Sequence, residues 1–133
     1  MKNEIPVESV RTILVVEDDV LIRMPIASYL RECGYRVVEA ADSDEALTVL
    51  TMNEIKIGVV FAAAELAGSM DGFSLCQWVQ HNRPGIKTVL AGTPKRAAEV
   101  AGELCDEGPR QPYGSELVEH LIRRLLATRP GSS

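Results

Sequence analysis

Four short apolar runs are spaced along the first 91 residues of the chain, and polar or turn-forming residues follow all but the third. The runs span residues 12–16, 35–40, 57–61 and 86–91, and an alanine-rich loop is predicted after the third. Short runs that are rich in β-branched residues are typical of strands buried on both faces of a parallel sheet. The segment 105–113 has no apolar run where a fifth strand is expected, so a strand there is predicted to be short or weak.

Segments with helical spacing of apolar residues separate these runs. Asp19 is a suitable N-cap for a helix that ends before Gly34. Pro25 lies beyond the first turn of this helix, which predicts a kink or a late start. Asp42 and Glu45 have capping-box spacing and begin a second helix. Three further helices are predicted over residues 73–81, 94–104 and 115–126.

Strands that alternate with helices predict an α/β fold of three layers, with a central five-stranded parallel sheet and helices on both of its faces. We expect one domain over residues 11–127, an N-terminal extension at 1–10 and a disordered tail at 128–133. In a sheet of this kind a functional crevice lies outside the carboxyl ends of the strands.

Composition and charge narrow the class of protein. The chain has 133 residues, of which 46% are hydrophobic, and this suits a single compact core. The net charge of -5 argues against direct binding to nucleic acid or to an anionic membrane surface. No apolar stretch approaches the ~18 residues of a membrane span, and none has the pattern of a signal peptide. We therefore expect a cytoplasmic protein.

Three cysteines are widely spaced and form no CxxC pair: Cys33, Cys76 and Cys105. An odd number at such spacing predicts neither a disulfide framework nor a zinc site. We expect reduced thiols that pack as small buried hydrophobic side chains, except Cys105, which lies in a loop and is expected to be exposed.

Three consecutive carboxylates follow the first apolar run: Glu17, Asp18 and Asp19. Oxygen ligands of this kind suit Mg²⁺, which takes one or two carboxylates and keeps several waters. The structural alternative is a helix start, because the helix dipole favours acidic side chains at the N-terminus. Arg23, one turn further along, is expected to be a solvated helix residue.

The order and spacing of these motifs resemble the receiver domain of two-component response regulators, the CheY-like domains with a flavodoxin-like (βα)5 fold. The resemblance rests on ILVVEDD followed by Leu21, Ile22 and Arg23, on GYRVVEAADSDEAL, and on GSMDGFSL. It covers about residues 11–126. In that family the residues at Glu17 and Asp18 help to hold Mg²⁺, and an aspartate at the end of the third strand accepts a phosphoryl group.

The chain departs from the family where the resemblance places this chemistry. The family pattern F-x-D-x-x-x-x-G-x-M-D-G aligns the phosphoacceptor with Ala63. The hydroxyl residue that ends the fourth strand aligns with Ala91, or with Thr93 if the alignment slips by two residues. The lysine that precedes a proline after the fifth strand aligns with Gln111. The aromatic switch residue aligns near Gly108. The resemblance therefore implies a degenerate receiver without a phosphoacceptor aspartate, in which any Mg²⁺ site is weak and no cofactor is required.

We expect a signalling domain of a phosphorelay system, not an enzyme, that works as a phosphorylation-independent protein-interaction module. Its partner would be a signalling protein, such as a kinase or an output protein, and a homodimer through the last helix is an alternative use of the same surface. The alternative function is a working receiver that is phosphorylated on another carboxylate, such as Glu65 or Asp71. The residues predicted for the interaction surface are Arg110, Tyr113, Arg123 and Arg124.

Charge is divided unevenly between the two halves of the chain. Residues 1–66 hold 12 acidic and 6 basic side chains, whereas residues 67–133 hold 7 acidic and 8 basic ones. The last predicted helix carries Arg123 and Arg124 near its end, which favours a partner protein with an acidic patch.

Overall fold

The computed structural model describes residues 12–52 and 54–105, in which strands and helices alternate. The elements are β1 (Thr12–Val16), α1 (Val20–Glu32), β2 (Arg36–Ala40), α2 (Ser43–Thr51), β3 (Val59–Ala63), α3 (Gly72–Asn82), β4 (Lys87–Ala91) and α4 (Pro94–Leu104). Within these ranges no helix is long and apolar enough to cross a membrane. The extension at 1–10, the predicted fifth strand, the last helix and the tail at 128–133 lie outside the described residues.

The four strands form one parallel sheet in the order β2-β1-β3-β4, which confirms the predicted α/β class. All five residues of β1 are buried, because this strand is paired on both edges and covered on both faces. Ala62 and Ala63 extend β3 beyond the predicted end of the strand, since they pair with Leu90 and Ala91 of β4. The alanine-rich loop is therefore shorter than predicted.

Helices cover both faces of the sheet. Side chains at alternate positions of a strand point to opposite faces. Ile13 and Phe61 accordingly pack with α1 and α4 on one face, and Leu14 and Val60 pack with α2 and α3 on the other. The result is the predicted arrangement of three layers.

Side-chain caps fix the starts of the helices. Asp19 Oδ1 accepts the backbone N–H of Leu21 at 2.9 Å, and Asp42 Oδ1 accepts that of Glu45 at 2.8 Å. Both predicted N-caps are confirmed. α1 begins at Val20 and continues through the buried Pro25, so the predicted alternative of a late start is wrong. The cap and the burial of the proline ring outweigh the single backbone hydrogen bond that proline cannot donate.

Two of the cysteines form a disulfide, contrary to the prediction of reduced thiols. Cys33 is the C-cap of α1 and Cys105 is the C-cap of α4, and their Cα atoms lie 5.7 Å apart. Cys105 is only 7% exposed, so the expectation of an exposed side chain is also wrong. The pairing follows from the packing of α4 beside α1, for which a separation of 72 residues gives no sequence signal. Cys76 is a free, buried thiol on α3.

Candidate functional site at the carboxyl edge of the sheet

The carboxyl ends of β1, β3 and β4 surround a cavity of about 230 Å³. Glu17, Asp18 and Asp19 supply carboxylates to its wall directly after β1. Ala63 and Ala91 line it at the ends of β3 and β4, where the register of the sheet pairs them. The structure thus brings four of the residues predicted for the degenerate site and the metal site into one cavity, together with Asp19.

Close backbone packing fixes the position of Ala63. The Gly72 N–H donates to the carbonyl oxygen of Ala64 at 2.8 Å, and the Ala64 N–H donates to that of Ala91 at 3.0 Å. A Cβ atom at Gly72 would overlap the carbonyl group of Ala63, so the first residue of α3 must be a glycine at this close approach. The start of α3 is therefore held directly against the end of β3.

The residues at the ends of β3 and β4 carry no reactive group. Ala63 and Ala91 contribute methyl groups to the cavity, which neither attack phosphorus nor hold a cation. Thr93 is the nearest hydroxyl in sequence to Ala91. Its Oγ1 atom accepts the Arg96 N–H at 3.0 Å as the N-cap of α4. That hydroxyl oxygen is thus engaged in starting the helix.

The two carboxylates named as alternative phosphoacceptors have different surroundings. Glu65 lines the cavity. Asp71 is the N-cap of α3, and its Oδ1 atom accepts the Ser74 N–H at 2.8 Å. The hydrogen bond from Ser74 lowers the pKa of Asp71. Glu65 is therefore the one of the two that stands at the site.

Within the acidic cluster, Glu17 is half-buried, whereas Asp18 and Asp19 are exposed. Glu17 Oε2 accepts the Asp19 N–H at 2.9 Å. Burial, with the neighbouring carboxyl groups of Asp18 and Asp19, raises the pKa of Glu17 from 4.5 to about 7, although the hydrogen bond from the Asp19 N–H lowers it. Near neutral pH a proton on Glu17 therefore relieves part of the repulsion.

Arg23 is a structural link at the edge of this cavity and not the solvated residue that we predicted. Its Nε atom donates to Glu39 Oε1 at 2.9 Å, and its NH1 group donates to the backbone carbonyl of Glu17 at 2.9 Å. The side chain is only 17% exposed. Arg31 also reaches Glu39, at 3.2 Å. These bonds have no local signal in the sequence, because Glu39 belongs to β2, the strand beside β1.

The residues at this site fit a tightly bound divalent cation poorly. Mg²⁺ requires near-octahedral oxygen ligands, and two carboxylates with waters hold it weakly. One oxygen of Glu17 is engaged by a backbone N–H, and Ala63 supplies no ligand. Over residues 12–52 and 54–105, no group of three His, Cys, Asp or Glu side chains is placed to hold a metal ion. We therefore derive no chemical step that passes through a cation.

The remaining predicted site residues lie beyond the part of the chain that the structure describes. They are Gln111 at the lysine position, Gly108 near the aromatic position, and the surface residues Arg110, Tyr113, Arg123 and Arg124. Their roles stay predictions.

Comparison with known proteins identifies relatives in signalling. The family model for the response regulator receiver domain matches residues 13–110. The probable transcriptional regulator ycf27 of Cyanophora paradoxa is 30% identical over 118 residues, which cover 87% of this chain and 48% of that protein. The transcriptional regulatory protein GltR of Pseudomonas aeruginosa is 28% identical over 121 residues, which cover 87% of this chain and 49% of that protein. The chain thus spans about half the length of the curated relatives it matches.

Solved structures have the same fold. The receiver domain of NtrX from Brucella abortus is 26% identical, with a TM-score of 0.55 over 88% of this chain and 99% of that one. The response regulator protein TrrA from Thermotoga maritima, solved in complex with Mg²⁺-BeF, is 22% identical, with a TM-score of 0.56 over 87% of this chain and 99% of that one. At that identity the second likeness shows the fold alone. The family match, the parallel sheet and the cavity at its carboxyl edge agree, and the chain belongs to the response regulator receiver domain family.

Proposed function

We propose that this chain is a pseudo-receiver, a signalling domain of the two-component type that binds a protein partner without being phosphorylated. The observation that carries the proposal is Ala63, a methyl side chain at the end of β3 that lines the cavity beside the acidic cluster. The resemblance to the family aligns the phosphoacceptor with this residue. A phosphoryl group has no carboxylate oxygen to bond to at that position.

The surrounding groups support the same conclusion. Transfer of a phosphoryl group to a carboxylate requires a nucleophilic oxygen, together with positive charge that meets the negative charge on the phosphoryl oxygens. Glu17 and Asp18 bring negative charge to the cavity, and Ala91 brings no hydroxyl group. The Arg23 guanidinium lines the cavity but is paired with Glu39, so part of its charge is already compensated. These groups disfavour the approach of an anionic phosphodonor.

A second candidate function rests on Glu65, which lines the same cavity. In this alternative the chain is a working receiver with a displaced phosphoacceptor. Glu65 lies two residues after Ala63, the last residue of β3, so its carboxylate occupies a different position from that of the aligned aspartate. Asp71, the other candidate, already accepts a hydrogen bond as the N-cap of α3. A Glu65→Gln variant distinguishes this alternative, because it would lose any phosphorylation that the unaltered chain shows.

The partner that we propose is a signalling protein, such as a kinase or an output protein, in the cytoplasm. Relatives about twice as long are named as transcriptional regulators, which is consistent with a role in relaying a signal to an output. We place the contact on the predicted last helix, at Arg123 and Arg124, and on Arg110 and Tyr113 before it. The net charge of -5 disfavours direct binding to nucleic acid.

Capture of partners from the native cell tests this function. The bait is the full chain, compared with a variant that carries Arg123→Glu and Arg124→Glu, and with Lys56→Glu as a matched control at an exposed position. We expect the unaltered chain and the control to capture the same protein equally with and without acetyl phosphate and Mg²⁺, and the double variant to lose it. Capture that appears only with the phosphodonor would contradict the proposal. Size-exclusion chromatography of the bait alone tests the homodimer.

A further inference from the structure

We propose that Cys33 and Cys105 form a reversible thiol–disulfide site, which locks α4 onto α1 and exchanges with a dithiol reductant. The two residues end the two helices that share one face of the sheet. Their Cα separation of 5.7 Å is in the usual range for a disulfide. Disulfides that form in a reducing compartment are usually transient, and catalytic or redox-sensing. With the cytoplasmic location proposed above, on which this step rests, the bond would report the redox state of the cell.

The contacts of α4 explain why the disulfide matters to this helix. Its buried residues are three alanines and one valine, which remove little apolar surface from water. Its ion pairs join Arg96 to Glu99 and Glu103, all within α4, and so they do not tie the helix to the sheet. At the C-terminal end, the Tyr35 hydroxyl donates to the carbonyl oxygen of Leu104 at 2.6 Å. The disulfide and this hydrogen bond are adjacent and hold the same turn.

The position of α4 connects this bond to the cavity at the carboxyl edge of the sheet. Pro94 and Ala97, in the first turns of α4, line that cavity. Cys105 lies at the other end of the helix, from which the chain continues to the predicted interaction residues. Loosening α4 would therefore change a wall of the cavity and the position of Cys105, after which the predicted interaction residues follow in sequence. This effect requires no phosphoryl group, so its test is independent of the proposed function.

The exchange follows ordinary thiol chemistry. A thiolate of the reductant attacks one sulfur of the pair, the protein S–S bond breaks, and the released thiolate takes up a proton. The second thiolate of the reductant then attacks the reductant's own sulfur in the mixed disulfide, and the second protein cysteine leaves as a thiolate that takes up a proton. Two electrons and two protons pass to the protein pair, and the reductant leaves as its own disulfide. Each cysteine is 7% exposed, so attack requires the last turn of α4 to lift away from Tyr35.

Cys76 provides a matched control within the same chain. It packs against α2 and the sheet on the opposite face, away from the disulfide. Burial raises the pKa of the Cys76 thiol, which makes it a poor nucleophile near neutral pH. A redox response that belongs to the pair should therefore be unchanged by Cys76→Ser.

Thiol counting on the full chain, purified without reductant, tests the bond. Among the three cysteines of the chain, we expect alkylation after denaturation to label Cys76 alone, and all three after treatment with dithiothreitol. The oxidised chain should be about 2 Da lighter, the mass of the two hydrogens removed. In buffers that contain different ratios of reduced to oxidised dithiothreitol, the fraction of chain that holds the disulfide should change with the ratio. This change should be absent from Cys33→Ser and from Cys105→Ser and retained in Cys76→Ser. Three reactive thiols at every ratio, or a bond that includes Cys76, would overturn the proposal.

Two further measurements on folded protein test the locking of α4. In a Tyr35→Phe variant, dithiothreitol should reduce the disulfide about fivefold faster. The variant lacks the hydrogen bond to Leu104 that keeps the last turn of α4 in place. Reduction of the unaltered chain should speed amide hydrogen exchange in α4 and leave exchange in α3 unchanged. The second experiment needs no substitution, so it stands even if a cysteine variant fails to fold. Equal protection of α4 in the two redox states would overturn the claim that the disulfide locks it.

Discussion

Replacing Glu17 by glutamine is expected to stabilise the fold above neutral pH and to leave its stability unchanged in acid. Burial, together with the neighbouring carboxyl groups, raises the pKa of Glu17 from 4.5 to about 7. Between these two values the folded chain binds more protons than the unfolded chain, so its free energy of unfolding falls as the pH rises. Above about pH 7 the full destabilising effect of the charge is present, and below 4.5 it disappears.

The size of the effect follows from the shift and from the exposure of the side chain. A rise from 4.5 to about 7 corresponds to about 3 kcal/mol at ~1.4 kcal/mol for each pH unit. Because the side chain is only partly buried, water and salt screen it, and we expect about 1 kcal/mol of added stability in the variant. Glutamine retains a side-chain oxygen that can accept the Asp19 N–H, so the substitution removes the charge and preserves the hydrogen bond.

Urea unfolding at about pH 4 and about pH 8 measures this difference. Glu54→Gln, at an exposed position outside the acidic cluster, is the control and should change little at either pH. A Glu17→Gln variant that is less stable than the unaltered chain at the higher pH would refute the reasoning, as would a gain of equal size at both pH values. Millimolar Mg²⁺ should stabilise the unaltered chain only slightly, because Ala63 supplies no carboxylate at the end of β3.

Three further substitutions, the first with a matched control, test contacts within the domain by urea unfolding. Gly72→Ala should lower the free energy of unfolding by about 2 kcal/mol because its Cβ meets the Ala63 carbonyl, whereas Gly85→Ala, in open space, should change it by less than about 0.5 kcal/mol. Equal stability of these two variants would contradict the close approach. Arg23→Met removes the hydrogen bonds to the Glu39 carboxylate and the Glu17 carbonyl, and it should lower the free energy of unfolding by about 2 kcal/mol. Unchanged stability would show that these bonds do not hold the two strands. Ser43→Ala removes the buried hydroxyl oxygen that accepts the Met70 N–H, and it should lower the free energy of unfolding by about 1–3 kcal/mol. Unchanged stability would show that water replaces this hydroxyl oxygen as the acceptor.

The elements that could be predicted from the sequence depend on local chemistry. The run TILVV carries its own strand signal, because a strand buried on both faces needs apolar residues at every position. Asp19 and Asp42 mark helix starts because their caps involve backbone groups two or three residues away. The place of the site could also be predicted, since strands of a parallel sheet expose their carboxyl ends at one edge.

The features that could not be predicted depend on contacts between distant residues. The Cys33–Cys105 bond requires α4 to lie beside α1, and the link from Arg23 to Glu39 requires the pairing of β1 with β2. The extension of β3 through Ala63 depends on its register with β4, since alanine alone has no preference for strands. The raised pKa of Glu17 likewise follows from burial, which only the folded chain creates.

Intact mass spectrometry shows whether the chain accepts a phosphoryl group. The full chain is incubated with acetyl phosphate and Mg²⁺, beside a Glu65→Gln variant treated in the same way. We predict that the mass of the unaltered chain stays the same, because Ala63 offers no oxygen to phosphorus. An added mass of about 80 Da that hydroxylamine removes, the sign of a phosphoryl group on a carboxylate, would contradict the account. If that mass were lost in the Glu65→Gln variant, Glu65 would be the phosphoacceptor.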